Sequence, residues 1–157
     1  MSNGYHVKGW SRSTKTVDAI DFYEGKDGLP DFLQHLDVLV CLLPLTANTH
    51  EIINAQFLQR LADGTFLINA ARGKHVNTND LITALDSGKL RGALLDVTEP
   101  EPLPKKHPLW SHPAVTITPH VAGPTQMQES VRQIVANLKR AEAGETLTGL
   151  VDRERGY

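Results

Sequence analysis

The chain has 157 residues, the length of one ordinary domain, and 40% of them are hydrophobic, which is enough for an internal core. Its 16 basic and 18 acidic residues are mixed along the sequence and leave a formal charge of −2, which argues against a nucleic-acid-binding surface. The longest apolar run, residues 38–43, is too short to cross a membrane, and no secretory signal precedes it, so we expect a cytoplasmic protein without a membrane partner.

Short apolar runs alternate with helical patterns, which is typical of a parallel α/β sheet. We expect strands at residues 5–10, 20–23, 38–43, 65–69, 92–96 and 115–118. We expect helices at residues 30–36, 55–61, 78–87 and 125–143, and a proline-rich ordered loop at 100–113. Asn54 and Asn77 are suitable N-caps for the second and third helices, and Gly88 is a suitable C-cap for the third. No repeat or domain boundary is evident.

Apolar residues at helical spacing form a stripe on the last predicted helix, at Val131, Ile134, Val135 and Leu138. Such a stripe usually packs on the core of its own domain, although a dimer contact is the alternative. The single cysteine, Cys41, lies inside the third predicted strand, which excludes an internal disulfide and favours a reducing compartment. Its thiol is a possible nucleophile, but a cysteine within a buried strand usually fills space in the core.

Three polar side chains follow three of the predicted strands. Arg72 follows the fourth strand, Glu101 follows the fifth and His120 follows the sixth. In open α/β sheets, ligands bind beyond the carboxyl ends of the strands, and these ends meet at one edge. A cation, an acid and an imidazole are therefore expected together, as a candidate active site.

Each of these side chains has both a functional and an ordinary interpretation. Arg72 can bind a carboxylate through two hydrogen bonds, or form a surface ion pair. His120 can transfer a proton near neutral pH, or be structural. Glu101 can orient the imidazole, although composition alone does not separate it from Glu99. No metal-ligand spacing is present, so no metal site is expected, and no comparable setting surrounds the histidines at 6, 35, 50, 75, 107 and 112.

The segment from Val38 to Gly123 resembles the NAD(P)-dependent D-2-hydroxyacid dehydrogenases. The motifs that carry this resemblance are Leu-Leu-Pro-Leu-Thr at 42–46 with Thr49, Leu-Ile-Asn-Ala-Ala-Arg-Gly at 67–73, Ala-Leu-Leu-Asp-Val at 93–97, Glu-Pro-Leu-Pro at 101–104 and Thr-Pro-His-Val-Ala-Gly at 118–123. The closing residues 151–157 look like the glyoxylate/hydroxypyruvate reductase A group of that family. One departure is Thr98, where the family usually has an aromatic residue.

The resemblance implies a reduction of a small 2-oxo acid, with hydride from the nicotinamide. His120 would donate the proton, Glu101 would hold His120 in the right tautomer, and Arg72 would bind the substrate carboxylate. The resemblance also selects Glu101 over Glu99, because only Glu101 precedes Pro-Leu-Pro. Asp96 would hydrogen-bond the nicotinamide carboxamide. The other residues implied at the cofactor are Leu43, Pro44, Thr49, Ala70, His120 and Gly123.

The end of the first predicted strand bears on the choice of cofactor. In relatives this position usually holds an acid that binds the ribose 2′-hydroxyl of NAD. Here the sequence is Ser11-Arg12-Ser13, and a basic residue between two hydroxyls suits a 2′-phosphate. NADP(H) is therefore expected, with NAD as the alternative and an exposed loop arginine as the ordinary interpretation.

The Gly-x-Gly-x-x-Gly turn of the family is absent from the sequence. We therefore expect a Rossmann-like parallel sheet that lacks its first strand and glycine-rich turn, over about residues 4–124. The helix and tail at about 125–157 would normally return to the substrate domain. The missing first strand is central in the family's strand order. Without it, the first two strands predicted here should be separated from the other four, and the unpaired strand edges should favour pairing with another chain.

Three functions remain open on the sequence alone. The first is a glyoxylate or hydroxypyruvate reductase that is active in a complete form. The second is a truncated and inactive fragment that dimerises or swaps strands, and the third is a non-enzymatic module that binds a nucleotide or a partner. A homodimer is the expected assembly.

Overall fold

The computed structural model describes residues 4–13 and 20–154. In chain order these form β1 (Lys8–Ser11), β2 (Asp21–Glu24), α1 (Gly25–Phe32), β3 (Val38–Cys41), α2 (Ala55–Gln59), β4 (Thr65–Asn69), α3 (Thr78–Asp86), β5 (Leu90–Leu95), β6 (Val115–Ile117) and α4 (Met127–Glu142). Each predicted strand is found, with its ends shifted by at most three residues, and β4 has the bounds expected. The closing residues 155–157 lie outside the described part.

The strands form two separate parallel sheets, β1-β2 and β3-β4-β5-β6. This arrangement confirms the expected α/β fold and the separation of the first two strands from the others. Within the described residues β1 and β3 each pair on one side, so each leaves an open edge. On β3, Val38 and Val40 are 42% and 48% exposed, whereas strands of parallel sheets are usually covered on both faces.

The core lies around the four-stranded sheet and draws side chains from each nearby helix. Leu67 of β4, Leu90 of β5 and Leu81 of α3 are at most 1% exposed. Leu33, just after α1, is also fully buried in this cluster and attaches the two-stranded unit to the larger sheet. Burying one such leucine stabilises the fold by about 1.5–3 kcal/mol. The candidate site therefore rests on a well-packed platform.

The register of the larger sheet brings three strand ends to one level. Asn69 of β4 pairs with Leu95 of β5, and Leu95 pairs with Ile117 of β6. The segments that follow these strands therefore leave the sheet side by side at its carboxyl edge, as expected.

Two of the predicted helices begin where their caps were expected. The Asn54 side chain accepts a hydrogen bond from Phe57 N–H at 3.2 Å, and Asn77 accepts one from Asp80 N–H at 3.1 Å. The prediction for the first helix is wrong, because α1 begins at Gly25 and ends at Phe32 instead of covering 30–36. Gly25 has φ +64°, so it turns the chain from β2 straight into the helix, and no polar loop marks the start.

The apolar stripe of α4 does not pack on the core, so that interpretation is wrong. No residue of α4 is buried, and Val131, Ile134, Val135 and Leu138 are 43% to 59% exposed. Cys41, in contrast, is 4% exposed, and burial raises the pKa of its thiol, which confirms the core role. No helix among the described residues is long and apolar enough to cross a membrane.

Candidate active site

His120 and Glu101 meet at the carboxyl edge of the larger sheet. His120 Nδ1 lies 2.8 Å from Glu101 Oε1, in a charge-assisted hydrogen bond when the ring is protonated. With Nδ1–H donating to the carboxylate, the other ring nitrogen is left for proton exchange. The two side chains are 49% and 44% exposed, so the pair lies on an open surface. The acid in this contact is Glu101 and not Glu99.

The backbone at His120 is in the left-handed region, with φ +55°, which is uncommon for a residue with a side chain. Its N–H donates to the backbone oxygen of Asp96 at 2.9 Å. The Asp96 carboxylate then accepts hydrogen bonds from the N–H groups of Val121 and Ala122, both at 2.9 Å, and from the Thr118 hydroxyl at 2.5 Å. Asp96 therefore holds the turn that presents His120.

These contacts set the charge state of Asp96. The Thr118 hydroxyl, followed by the N–H of Val121, lowers the pKa of the Asp96 carboxyl, although burial acts in the opposite direction. The Ala122 N–H and the charge of His120 lower it further. Both carboxylate oxygens thus have partners within the chain, and the residue is 3% exposed. The sequence pointed to a contact with the cofactor and gave no sign of this role in the His120 turn.

Arg72 is exposed, but its backbone is fixed by a hydrogen bond to the buried Asn69. Asn69 is fully buried, its amide donates to Arg72 O at 3.0 Å, and its oxygen accepts from Ala71 N–H at 3.2 Å. The guanidinium of Arg72 donates to Ala71 O at 2.6 Å, through Nη1. The arginine is therefore anchored at its base, while its planar fork keeps further donors for a carboxylate.

Gly73 brings the Arg72 loop against the segment that leads to Glu101. A Cβ placed on Gly73 would lie 2.0 Å from Thr98 O and 2.6 Å from Glu99 N, so no side chain fits there. The loops after β4 and β5 thus touch through their backbones, and the loops after β5 and β6 touch through Glu101 and His120. The three predicted side chains are linked in this order along one edge.

The residues predicted to bind the 2′-phosphate lie on the other sheet, at the end of β1. Ser11 is the last residue of β1, and its hydroxyl donates to Ser13 O at 2.6 Å, across the exposed Arg12. This small turn carries a cation and hydroxyl groups.

The other predicted cofactor residues follow β3, β4 and β6. The Thr49 hydroxyl donates to Pro44 O at 2.6 Å and accepts from Thr46 N–H at 2.8 Å, so it shapes the turn after β3. Leu43 is half-buried, and Gly123 is exposed with open space where a side chain would lie. Ala70 donates its N–H to Cys41 O at 3.3 Å and joins the ends of β3 and β4.

His75 was not singled out from the sequence, yet it lies directly beneath the predicted site. It is fully buried, and its ring contacts the backbone of both Arg72 and Pro44. The sequence feature that could have indicated this role is its position three residues after Arg72. A polar side chain there can accept the N–H of the residue at which the turn begins. Within residues 4–13 and 20–154, no cluster of His, Cys, Asp and Glu side chains is arranged to hold a metal ion.

Comparison with known proteins gives a consistent family assignment. Residues 2–122 match the family model described as D-isomer specific 2-hydroxyacid dehydrogenase, NAD binding domain. The chain is 48% identical over 154 residues to a glyoxylate/hydroxypyruvate reductase A of Salmonella paratyphi B. The matched residues make up 98% of this chain and 49% of that protein. The chain thus spans about half the length of the curated relatives it matches.

Solved structures give the same picture. A D-isomer specific 2-hydroxyacid dehydrogenase from Xanthobacter autotrophicus in complex with NADPH and MES is 42% identical, with a TM-score of 0.95 over 99% of this chain and 64% of that one. An NADPH-dependent glyoxylate/hydroxypyruvate reductase from Sinorhizobium meliloti in complex with NADP and sulfate is 38% identical, with a TM-score of 0.93 over 99% of this chain and 51% of that one.

We predict that Asp96→Asn destabilises the fold near neutral pH and that this effect fades in acid. The folded pKa of Asp96 lies below its ordinary value of 3.8. Its stabilisation is therefore fully present above that value and is lost as the pH falls through the lowered folded pKa. The difference in urea unfolding free energy between wild type and variant should be constant from about pH 6 to 8 and shrink below about pH 4.

Asp31→Asn removes the same charge from an exposed position and controls for net charge. A difference for Asp96→Asn that is unchanged or larger in acid would contradict the role assigned to the carboxylate.

Proposed function

The chain belongs to the D-isomer-specific 2-hydroxyacid dehydrogenases, and we propose that it supplies the catalytic residues and part of the cofactor contacts of an NADP(H)-dependent reductase. The substrate would be a small 2-oxo acid, glyoxylate or hydroxypyruvate, as in the names of its relatives. The cytoplasm is the proposed location, in keeping with the single buried cysteine. The observation that carries the proposal is the His120–Glu101 hydrogen bond beside the Arg72 loop.

His120 is the proposed proton donor to the carbonyl oxygen of the substrate. Glu101 accepts from Nδ1 and so leaves the opposite ring nitrogen, Nε2, on the side away from the acid. The proton that reaches the substrate would leave the ring from the nitrogen opposite Nδ1. Asp96 contributes by holding the backbone turn in which His120 sits.

Arg72 is the proposed binding group for the substrate carboxylate. A guanidinium offers two parallel donors that match the two oxygens of a carboxylate. Its positive charge also polarises the neighbouring carbonyl by drawing electrons from the carbon towards the oxygen. Because Asn69 fixes the peptide on which Arg72 stands, little ordering is left for the moment of binding.

The residues present fit a nicotinamide cofactor at its two ends. Ser11, Arg12 and Ser13 suit the 2′-phosphate, and the half-buried Leu43 with the exposed Pro44 would offer an apolar wall after β3. When bound, the cofactor supplies the hydride. The pyrophosphate cradle of the family is not encoded in the sequence, so we propose that full activity requires the half of the enzyme that lies outside this chain.

We predict that the purified chain oxidises NADPH with glyoxylate or hydroxypyruvate weakly and through His120. His120→Gln should lower the rate by about 10²–10⁴-fold, because the proton donor is lost. Arg72→Lys should mainly raise the KM, because charge is kept while the two-pronged geometry is lost. The loss of NADPH absorbance follows both effects.

Glu101→Gln should also lower the rate, because the charged acceptor of His120 Nδ1–H is lost. Glu99→Gln is its matched control, because Glu99 lies two residues away and is not the partner of His120. Equal effects of both substitutions would contradict the assignment. Cofactor binding without turnover would favour the inactive-fragment alternative, and a chain that binds neither cofactor nor substrate would refute the proposal.

We predict that the chain binds NADPH more tightly than NADH. A hydrogen-bonded pair between Arg12 and the 2′-phosphate is worth about 10- to 100-fold in affinity, from the usual strength of hydrogen bonds to charged groups. Arg12→Ala should bring the two dissociation constants together, as measured by fluorescence titration. Arg60→Ala, at an exposed position after α2, should leave the ratio unchanged. Equal affinity of the wild type for both cofactors would contradict the preference.

We also propose that two copies of the chain associate through α4. The apolar side chains of this helix are 43% to 71% exposed at Met127, Val131, Ile134, Val135 and Leu138. A contiguous apolar surface of this kind is typical of an interface. Its helical spacing suits packing against an identical helix in a two-fold arrangement.

Light scattering should therefore give a mass of two chains of 17.3 kDa each. Ile134→Glu should reduce this mass to that of a monomer, because a charge would be buried in the interface. Ala136→Glu adds the same side chain on the opposite face of α4 and should leave the dimer intact. A wild-type monomer would contradict the proposed assembly.

A further inference from the structure

The ring of His75 joins two loops of the proposed site from within the core. His75 is 0% exposed, and it lies in a short 3-10 turn just after Arg72. Its Nδ1 lies 3.3 Å from Arg72 N, and its Nε2 lies 3.3 Å from Pro44 O. A buried histidine thus spans from the peptide that carries Arg72 to the turn after β3.

The surrounding groups favour one tautomer of this ring. Pro44 O can only accept, so Nε2 must carry the proton that faces it. Arg72 N–H can only donate, so Nδ1 must offer it a lone pair. Arg72 O lies 3.1 Å from Nδ1, but it already accepts from Asn69 and from His75 N–H. The neutral ring with hydrogen on Nε2 therefore satisfies both loops at once.

The backbones of the two segments are also joined directly by hydrogen bonds. Glu51 N–H donates to Lys74 O at 2.8 Å, Ile53 N–H donates to His75 O at 2.9 Å, and Asn77 N–H donates to Ile53 O at 3.0 Å. The loops would therefore stay together without the imidazole. What the ring adds is a defined spacing between the Arg72 amide and the Pro44 carbonyl.

We propose that His75 is a positioning residue that sets the substrate-binding arginine against the cofactor wall. This inference rests on the proposed function, in which Arg72 binds the substrate carboxylate and Pro44 contacts the cofactor. Nδ1 acts on the substrate site through Arg72, and Nε2 acts on the cofactor site through Pro44. The two contributions are therefore separable by substitutions that keep one nitrogen's hydrogen bond and remove the other.

Asparagine and glutamine separate the two nitrogens. In His75→Asn the amide oxygen takes the place of Nδ1, so the Arg72 contact is kept while the Pro44 contact is lost. In His75→Gln the longer side chain places an N–H near Nε2, so the Pro44 contact is kept while the Arg72 contact is lost. Affinities are measured for NADPH and for oxalate, a two-carboxylate analogue of glyoxylate, by titration of the purified chain.

We expect His75→Asn to weaken NADPH binding by about 2- to 10-fold and to leave oxalate binding within about twofold, from the usual net strength of one hydrogen bond. We expect His75→Gln to do the reverse. The matching substitutions at His112 serve as controls, because its Nδ1 also accepts a backbone N–H, from Ala114 at 3.2 Å, but at the amino end of β6. They should change neither affinity.

Nitrogen-15 spectra of the ring test the geometry independently of any ligand. Hydrogen on Nε2 of a neutral ring, with the Arg72 amide signal displaced in His75→Gln but not in His75→Asn, is the expected result. Hydrogen on Nδ1 would overturn the proposal, as would equal losses of both ligands in both variants. If the wild type binds neither ligand while the spectra are as expected, the proposed function fails and the linkage of the two loops stands.

Discussion

The shared register of β4, β5 and β6 is the constraint on which the site depends. Because Asn69, Leu95 and Ile117 lie at one level, the chain leaves each strand at the same edge of the sheet. Each exit then needs its own local support, since the segments beyond a strand lose the ladder of backbone hydrogen bonds. The chemistry of the site follows from how that support is provided.

Buried polar side chains provide this local support for the segments beyond the strands. Asn69, His75 and Asp96 are at most 3% exposed, and each binds backbone groups of a loop that carries a proposed functional residue. A buried polar group without a partner is costly, so these side chains hold their loops in the one arrangement that satisfies them. The exposed residues that would meet the ligands are thereby positioned from beneath. The left-handed backbone of His120 is maintained in the same way.

The sequence predicted best the features that depend on local pattern. The bounds of β4 and the caps Asn54 and Asn77 follow from periodicity and from side-chain oxygens next to free N–H groups. The start of α1 was missed, because Gly25 joins strand to helix without a loop. The roles of His75 and Asp96 were also missed, because each depends on which backbone groups the fold brings near, and residue type alone does not determine that.

The open surfaces of the chain bear on how well the proposed site can work. In water the interaction between His120 and Glu101 is screened, since both side chains are nearly half exposed. Covering the pair would lower the local dielectric and strengthen both this contact and the attraction of Arg72 for a carboxylate. The open edge of β3, with Val38 and Val40 exposed, likewise favours a covering element. Cover over these two places would therefore act by different forces, by removing apolar surface from water at β3 and by strengthening the charges at the His120–Glu101 pair.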